Sequence, residues 1–314
     1  RGSDSLGRRY FLKWSTVLIA SIALGGYITR TIMSGGYSTG SVDIDIGKMP
    51  PEITPNDEFY VISKNFVYQE FSPVGWELRV EGMVENPYRL SYEDLTSLPW
   101  VEEFITMECI SNPVGGNLIS NAKWRGVLLR DLLERAVLKP GVVDIASFTL
   151  DGYSESMPLN TAMESRVMVA YMMNDEPLSN EHGFPARLVV PGIYGEKSSK
   201  WLAKLEALDY DFQGFWQRVG WSDDAKVKTT SQIRVPATGA RVSYGGVVLG
   251  GVAFSGDRGI SKVEISQDDG NTWQLAVLQE PLSRYTWVMW TMVWTHSGTG
   301  EFKLHVRATD GWGL

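Results

Sequence analysis

Cys109 is the only thiol in the chain, and it stands in the run Met107-Glu-Cys-Ile-Ser-Asn112. Alone, it excludes an internal disulfide, a zinc site built on cysteines and an iron–sulfur cluster held by four thiolates. Two readings of it remain, a soft thiolate ligand to a metal or a small buried hydrophobe, and the second is the commoner fate of a lone cysteine. The three histidines, His182, His296 and His305, are too few and too scattered for an HExxH helix or a pair of axial haem ligands. Arg125 and Arg130 lie beside a helical stretch and are as readily solvated as functional.

The elements that must position these residues are legible in outline. The chain has 314 residues, of which 43% are hydrophobic and 21% charged, a composition that folds and a length that suits two domains. A net charge of -8 argues against a nucleic-acid partner. From Phe59 the pattern is mixed. Trp76-Glu-Leu-Arg-Val-Glu81 alternates as a half-buried strand does, and Ser91-Tyr-Glu-Asp-Leu95 offers an N-cap followed by an acidic first turn. Residues 127–137 carry Leu128, Leu132 and Leu133 on one helical face and end before Pro140-Gly141. Strands near 146–150 and 187–190 complete an α+β domain, and 209–224 is an irregular exit from it. After Arg234-Val-Pro236 the pattern changes to short apolar runs at 247–254, 260–266, 272–278, 286–294 and 301–308, with an Asp268-Asp-Gly-Asn271 hairpin signal. These predict an immunoglobulin-like antiparallel β-sandwich without the disulfide. The run Trp287–Trp294 is too short to cross a bilayer and reads as a core strand.

The amino terminus carries an address. Arg8-Arg-Tyr-Phe-Leu-Lys13 precedes an uncharged apolar stretch and resembles a twin-arginine export signal. The same stretch, 19 residues from Tyr10 to Ile28, matches the roughly 20 residues that span a hydrocarbon core, so a retained membrane helix is the alternative. Either way Arg8, Arg9 and Lys13 stay inside, and the folded domains lie on the periplasmic or extracellular side. The expected organisation is a signal or membrane anchor at 1–33, a tether at 34–57, a catalytic domain at 58–234 and a β-sandwich at 235–314.

Seven motifs in chain order carry a resemblance. Phe59-Tyr-Val-Ile-Ser-Lys64-Asn65, Met107-Glu-Cys109-Ile-Ser-Asn112, Trp124-Arg-Gly-Val-Leu-Leu-Arg-Asp131, Asp151-Gly-Tyr153, His182-Gly-Phe-Pro-Ala-Arg187 and Gly195-Glu-Lys-Ser198-Ser199-Lys200-Trp201 come first. The sandwich, with Val263-Glu-Ile-Ser-Gln-Asp-Asp-Gly-Asn-Thr-Trp273, is the seventh. Together they resemble the sulfite oxidase family, from about residue 50 to the end. The resemblance implies a sulfite-oxidase-type molybdopterin domain, then a dimerisation-type sandwich able to form a homodimer; the apolar stretch after Arg8-Arg9 adds, as its favoured reading, one N-terminal transmembrane helix ahead of them. It implies a molybdenum ion held by Cys109 and by the dithiolene of a single pyranopterin, because soft sulfur suits a covalent centre that changes oxidation state by two. It implies that Asn65, Asn112, Asp151, His182, Arg187, Ser198, Ser199 and Lys200 bind the cofactor, with cations neutralising its phosphate and Gly192 and Gly195 admitting it to backbone N–H groups.

Departures from the family bear on the substrate. Lys64-Asn65-Phe66 stands where sulfite oxidases carry Arg-Asn-His, and a lysine holds an oxyanion as a point charge without the bidentate fork. Trp221, after Gly220, stands where the family has its pocket tyrosine, and an indole donates a hydrogen bond but exchanges no proton. The implied catalytic set is therefore Cys109, Lys64 and Trp221. Oxidation of sulfite or a similar small oxyanion is the expectation, against a sulfoxide-type reductase or a non-catalytic subunit of a membrane complex. Neither a haem nor an iron–sulfur cluster is expected in the chain, so electrons would leave through a cytochrome or a membrane partner subunit.

Overall fold

The computed structural model describes residues 48–65, 70–242, 245–296 and 298–314. The expected anchor at 1–33 and most of the tether lie outside the described residues. Among the described residues no helix is long and apolar enough to cross a membrane. The described end of the tether stretch is bonded into the fold: Thr54 N donates to Asn121 O at 2.8 Å, and Asn121 Nδ2 donates to Glu52 O at 2.7 Å.

The first domain runs through β1 (Glu77–Gly82), β2 (Tyr88–Ser91), α1 (Tyr92–Ser97), β3 (Val101–Glu108), β4 (Ile119–Leu128), α2 (Leu129–Ala136), β5 (Asp144–Thr149), β6 (Ser154–Pro158), α3 (Leu159–Ala162), β7 (Met168–Met173), β8 (Glu176–Pro177), β9 (Arg187–Val189) and β10 (Leu202–Leu208). They form two five-stranded sheets, one in the order β2-β1-β10-β5-β6 and one with β3-β4-β7-β8 in line and β9 on β7. Leu78, Val80, Leu132, Leu133, Val169 and Leu205, drawn from both sheets and α2, share one buried core. The Ser91 signal forms a full capping box, with Asp94 N donating to Ser91 Oγ at 3.1 Å and Ser91 N donating to Asp94 Oδ2 at 2.9 Å. The helix expected over 127–137 begins two residues later. Val127 and Leu128 remain in β4, paired with Val169 and Met168, because the ladder satisfies their backbone groups before the helix can.

The second unit is the expected sandwich, with β11 (Thr230–Val235), β12 (Gly245–Phe254), β13 (Ile260–Ser266), β14 (Gln274–Leu275), β15 (Val277–Leu278), β16 (Val288–His296) and β17 (His305–Asp310). Its sheets run β11-β12-β16-β15 and β14-β13-β17. Leu249, Val263, Ile265, Trp290 and Trp294 fill the space between them. The run 272–278, read as one strand, is two: β14 pairs with β13 and β15 with β16, so the chain changes sheets at Ala276.

The sandwich braces the strand that leads to Cys109. Trp287 N donates to Thr106 Oγ1 at 2.9 Å, Thr106 N to Tyr285 O at 3.0 Å and Ser283 Oγ to Phe104 O at 2.6 Å. Arg234, from β11, donates to Gly116 O at 2.8 Å in the loop that follows the cysteine.

Candidate active site

Five segments converge on a cavity of about 400 Å³. The end of β3 delivers Cys109, the β5–β6 turn Asp151 and Tyr153, the short 3-10 turn Asn180–His182 and β9 deliver His182 and Arg187, the loop before β10 delivers residues 195, 196 and 198–201, and the exit after β10 delivers Trp216 and Trp221. Lys64 completes the wall. Nine of the residues singled out from the sequence, Lys64, Cys109, Asp151, His182, Arg187, Ser198, Ser199, Lys200 and Trp221, thus line one cavity.

Asn65 and Asn112 are not in the cavity wall and brace residues around it. Asn65 Nδ2 donates to Asp151 Oδ2 at 2.9 Å, and Asp151 also accepts from Tyr153 N at 3.1 Å and from the Thr149 hydroxyl. Asn112 closes the cysteine loop. Its Nδ2 donates to Glu108 Oε1 at 2.9 Å and its Oδ1 accepts from Leu118 N at 3.0 Å. Close backbone approach depends on two glycines. A Cβ on Gly195 would lie 2.6 Å from the Tyr60 hydroxyl, and one on Gly183, at φ +106, would press on Lys200 and Arg187.

The electrostatics divide the cavity. Arg187 is buried, 5% exposed, and its N–H groups reach only His182 O, Leu188 O, Ser198 O and the Met107 sulfur. No carboxylate among the described residues pairs with it, and burial pulls its pKa down to about 10. Burial, then the Arg187 charge, lowers Lys200 to about 7, while Lys200 Nζ donates to Glu181 O at 2.8 Å. His182 is held by Nε2 against Asn56 O at 2.8 Å, and burial lowers its pKa. A buried cation with no carboxylate partner among the described residues, as Arg187 is, is costly, so its surroundings in the cavity suit an anionic group. Burial pushes the Cys109 thiol up, with hydrogen bonds from Ser111 opposing the shift. A metal ion would favour its thiolate.

Also in the wall, Trp216 and Trp221 stack with ring centroids 4.5 Å apart at 20°. Lys64 Nζ donates to Asp151 O at 3.1 Å and lies 5.3 Å from the Phe215 ring centroid. Sequence reasoning missed Tyr60, Trp216, Glu196 and the ion group behind them. Both Glu196 carboxylate oxygens are buried without a hydrogen-bond partner among the described residues, and burial, then the charge of Glu155, raises its pKa to about 7. Glu196 sits inside the Gly195–Lys200 motif, which was the available signal; the tertiary pairs around it left none.

Comparison with known proteins matches both domains. Residues 65–216 match the family described as "Oxidoreductase molybdopterin binding domain", and residues 223–312 match "Mo-co oxidoreductase dimerisation domain". The chain is 31% identical over 315 residues to mitochondrial sulfite oxidase of Homo sapiens, a match covering 83% of this chain and 58% of that protein. It is 32% identical over 175 residues to the uncharacterized oxidoreductase YuiH of Bacillus subtilis (strain 168), covering 56% of this chain and 86% of YuiH. The crystal structure of the sulfane dehydrogenase SoxCD from Paracoccus pantotrophus aligns with a TM-score of 0.77 at 26% identity, over 88% of this chain and 79% of that one. The chain spans little more than half the length of the human sulfite oxidase it matches. With the two domain matches covering the cavity domain and the sandwich in chain order, the chain belongs to the sulfite oxidase family of molybdopterin-dependent oxidoreductases.

Proposed function

We propose that this chain oxidises sulfite or a similar small sulfur oxyanion by oxygen-atom transfer and passes the electrons to a partner protein. The observation that carries the reading is Arg187, a buried guanidinium with no carboxylate partner among the described residues, in the wall of the same cavity as the only cysteine. The donor set fits a molybdenum pyranopterin. Cys109 would ligate the metal, and Arg187, Lys200 and His182 would hold the anionic pterin end, with Ser198 and Ser199 in the loop beside it. Bound there, the cofactor supplies a two-electron centre for oxygen-atom transfer.

The chain's own residues bind and orient. The Lys64 ammonium is a point charge for one oxyanion oxygen, and the Trp221 indole N–H is a second donor that moves no proton. Asn65 and Asp151 hold Lys64 at the wall, since Asp151 O accepts from Lys64 while its carboxylate accepts from Asn65. The stacked tryptophans would keep water from the part of the wall they form.

A second reading, reduction of a neutral sulfoxide, is favoured by that apolar wall and by the single lysine in place of a guanidinium fork. Assays of sulfite, sulfoxides and nitrate with artificial electron donors and acceptors decide between them. Sulfite-dependent reduction of an acceptor supports the first; turnover of sulfoxide alone contradicts it.

The sandwich is proposed to pair with a second copy or a partner, supported by its match to a dimerisation domain. Catalysis is proposed to lie outside the cytoplasm on a membrane anchor, supported by Arg8-Arg9 and the apolar stretch after them. Converting both arginines to lysine should leave cofactor-loaded enzyme in the cytoplasm. Continued export of the loaded enzyme would reduce them to inside-facing charge.

A further inference from the structure

The exit segment 209–224 forms part of the cavity wall although it has no strand and only the short turn Gln217–Val219. Its first half is tied to the sheet. Phe212 N donates to Asp144 Oδ2 at 2.9 Å, Ser156 Oγ to Phe212 O at 2.7 Å and Phe215 N to Ser154 O at 2.8 Å. In its second half the backbone bonds turn inward, Gly220 N to Gln217 O at 2.9 Å and Trp221 N to Trp216 O at 3.1 Å. They shape the turn that stacks Trp221 on Trp216; outward from this half Arg218 Nη2 reaches Ser154 Oγ at 3.4 Å, and just past the segment Tyr194 N donates to Ala225 O at 2.8 Å.

The shortest side-chain attachment of this half is ionic. Lys197, in the loop that also carries Glu196, Ser198 and Ser199, has a side chain only 2% exposed. Its ammonium donates to Glu155 Oε1 at 2.8 Å, to Asp223 Oδ1 at 2.7 Å and to Ser156 O at 3.0 Å, which uses all three of its donors. Glu155 is as deeply buried, 1% exposed, and its other oxygen lies 3.1 Å from the hydroxyl of Tyr153, a cavity residue. Asp223 is different: its side chain is 35% exposed, and it stands two residues beyond Trp221. Lys197 and Glu155 thus form a buried pair inside the domain, while Asp223 is a third, more exposed charge brought to it by the second half of the segment.

We propose that Lys197 is a positioning residue whose ammonium latches the Trp221-bearing segment, through Asp223, to the loop beneath the cavity, fixing the tryptophan wall of the substrate pocket. This rests on the reading of the cavity as the catalytic site, but the latch itself is a property of the folded chain. It makes Asp223 the arm to remove, because Lys197 then keeps Glu155 as partner and no buried charge is stranded. Replacing Lys197 first would strand Glu155 and risk the fold.

The test uses the full chain, with the near-ultraviolet circular dichroism of the stacked indoles as one readout and KM against kcat as the other. Trp221→Phe identifies the part of the dichroism that belongs to the pair. Asp223→Ala should lose that part and raise KM about tenfold with kcat nearly unchanged, the scale of one charge-assisted hydrogen bond. Asp223→Asn keeps an oxygen for Lys197 and should restore most of both. Unchanged dichroism in Asp223→Ala would overturn the latch, whatever happens to KM. Should Asp223→Ala fail to fold, Asp223→Ser, whose side chain is too short to reach Lys197, takes its place: loss of the Trp221 part of the dichroism at intact helical signal supports the latch, and dichroism identical to the native chain overturns it. A chain with no molybdenum-dependent turnover would sink the functional reading, and the dichroism would still decide the latch.

Discussion

Lys200 gives the site a pH signature. Its folded pKa of about 7 lies below the ordinary 10.5, so between these values the unfolded chain binds more protons than the folded one. Stability of the cofactor-free protein should therefore rise with pH from about 7 to 10.5 through this group, and fall as the pH drops back through the window. An anion beside Lys200 reverses the preference, so cofactor binding above pH 7 should take up a proton. Titration calorimetry in buffers of different ionisation enthalpy measures that proton; Lys200→Met should abolish it. Lys64 bears on the substrate. Lys64→Ala should weaken an anionic substrate by on the order of ten- to a hundredfold, against little change for a neutral sulfoxide, because a charge-assisted bond contributes roughly 1.5 to 3 kcal/mol. Equal losses in KM for both substrates would mark a structural lysine.

The elements hold the site from behind. Leu132 on α2 is 1% exposed in the core between the two sheets, so Leu132→Ala should cost about 2 to 5 kcal/mol in denaturant unfolding. Ser91→Ala, which removes the cap from α1, should cost about 1 kcal/mol by the same measurement. The cap was readable because its chemistry is local, Ser91 and Asp94 one turn apart. Val127 and Leu128 were misread because a strand running into a helix keeps an apolar pattern that either period accommodates. The change of sheet at Ala276 was hidden for a similar reason, since a continuous run carries no mark of which sheet each half joins. At the site, Cys109, His182 and Arg187 were legible only through the ordered motifs. Lys197 and Asp223, separated by 26 positions and joined by folding alone, left no trace in sequence.

The whole molecule must dispose of electrons. With its one cysteine in the cavity wall, the chain has no thiolates left for a cluster, and its net charge of -8 suits a basic carrier. Turnover of the purified chain should need an added carrier or partner. With a basic cytochrome the rate should fall as rising salt screens the encounter, measurably between 0.01 and 0.15 M, where the screening length shrinks from about 30 to 8 Å. A salt-independent rate would point to a permanently docked subunit. All of this depends on a molybdenum centre held by Cys109. X-ray absorption at the molybdenum edge of purified, cofactor-loaded protein tests that most directly, compared between the native chain and Cys109→Ser. The native chain should hold about one molybdenum per chain and show one more sulfur neighbour than the variant, consistent with a cysteine thiolate beside the dithiolene. Identical sulfur counts in two molybdenum-loaded proteins would contradict the assignment.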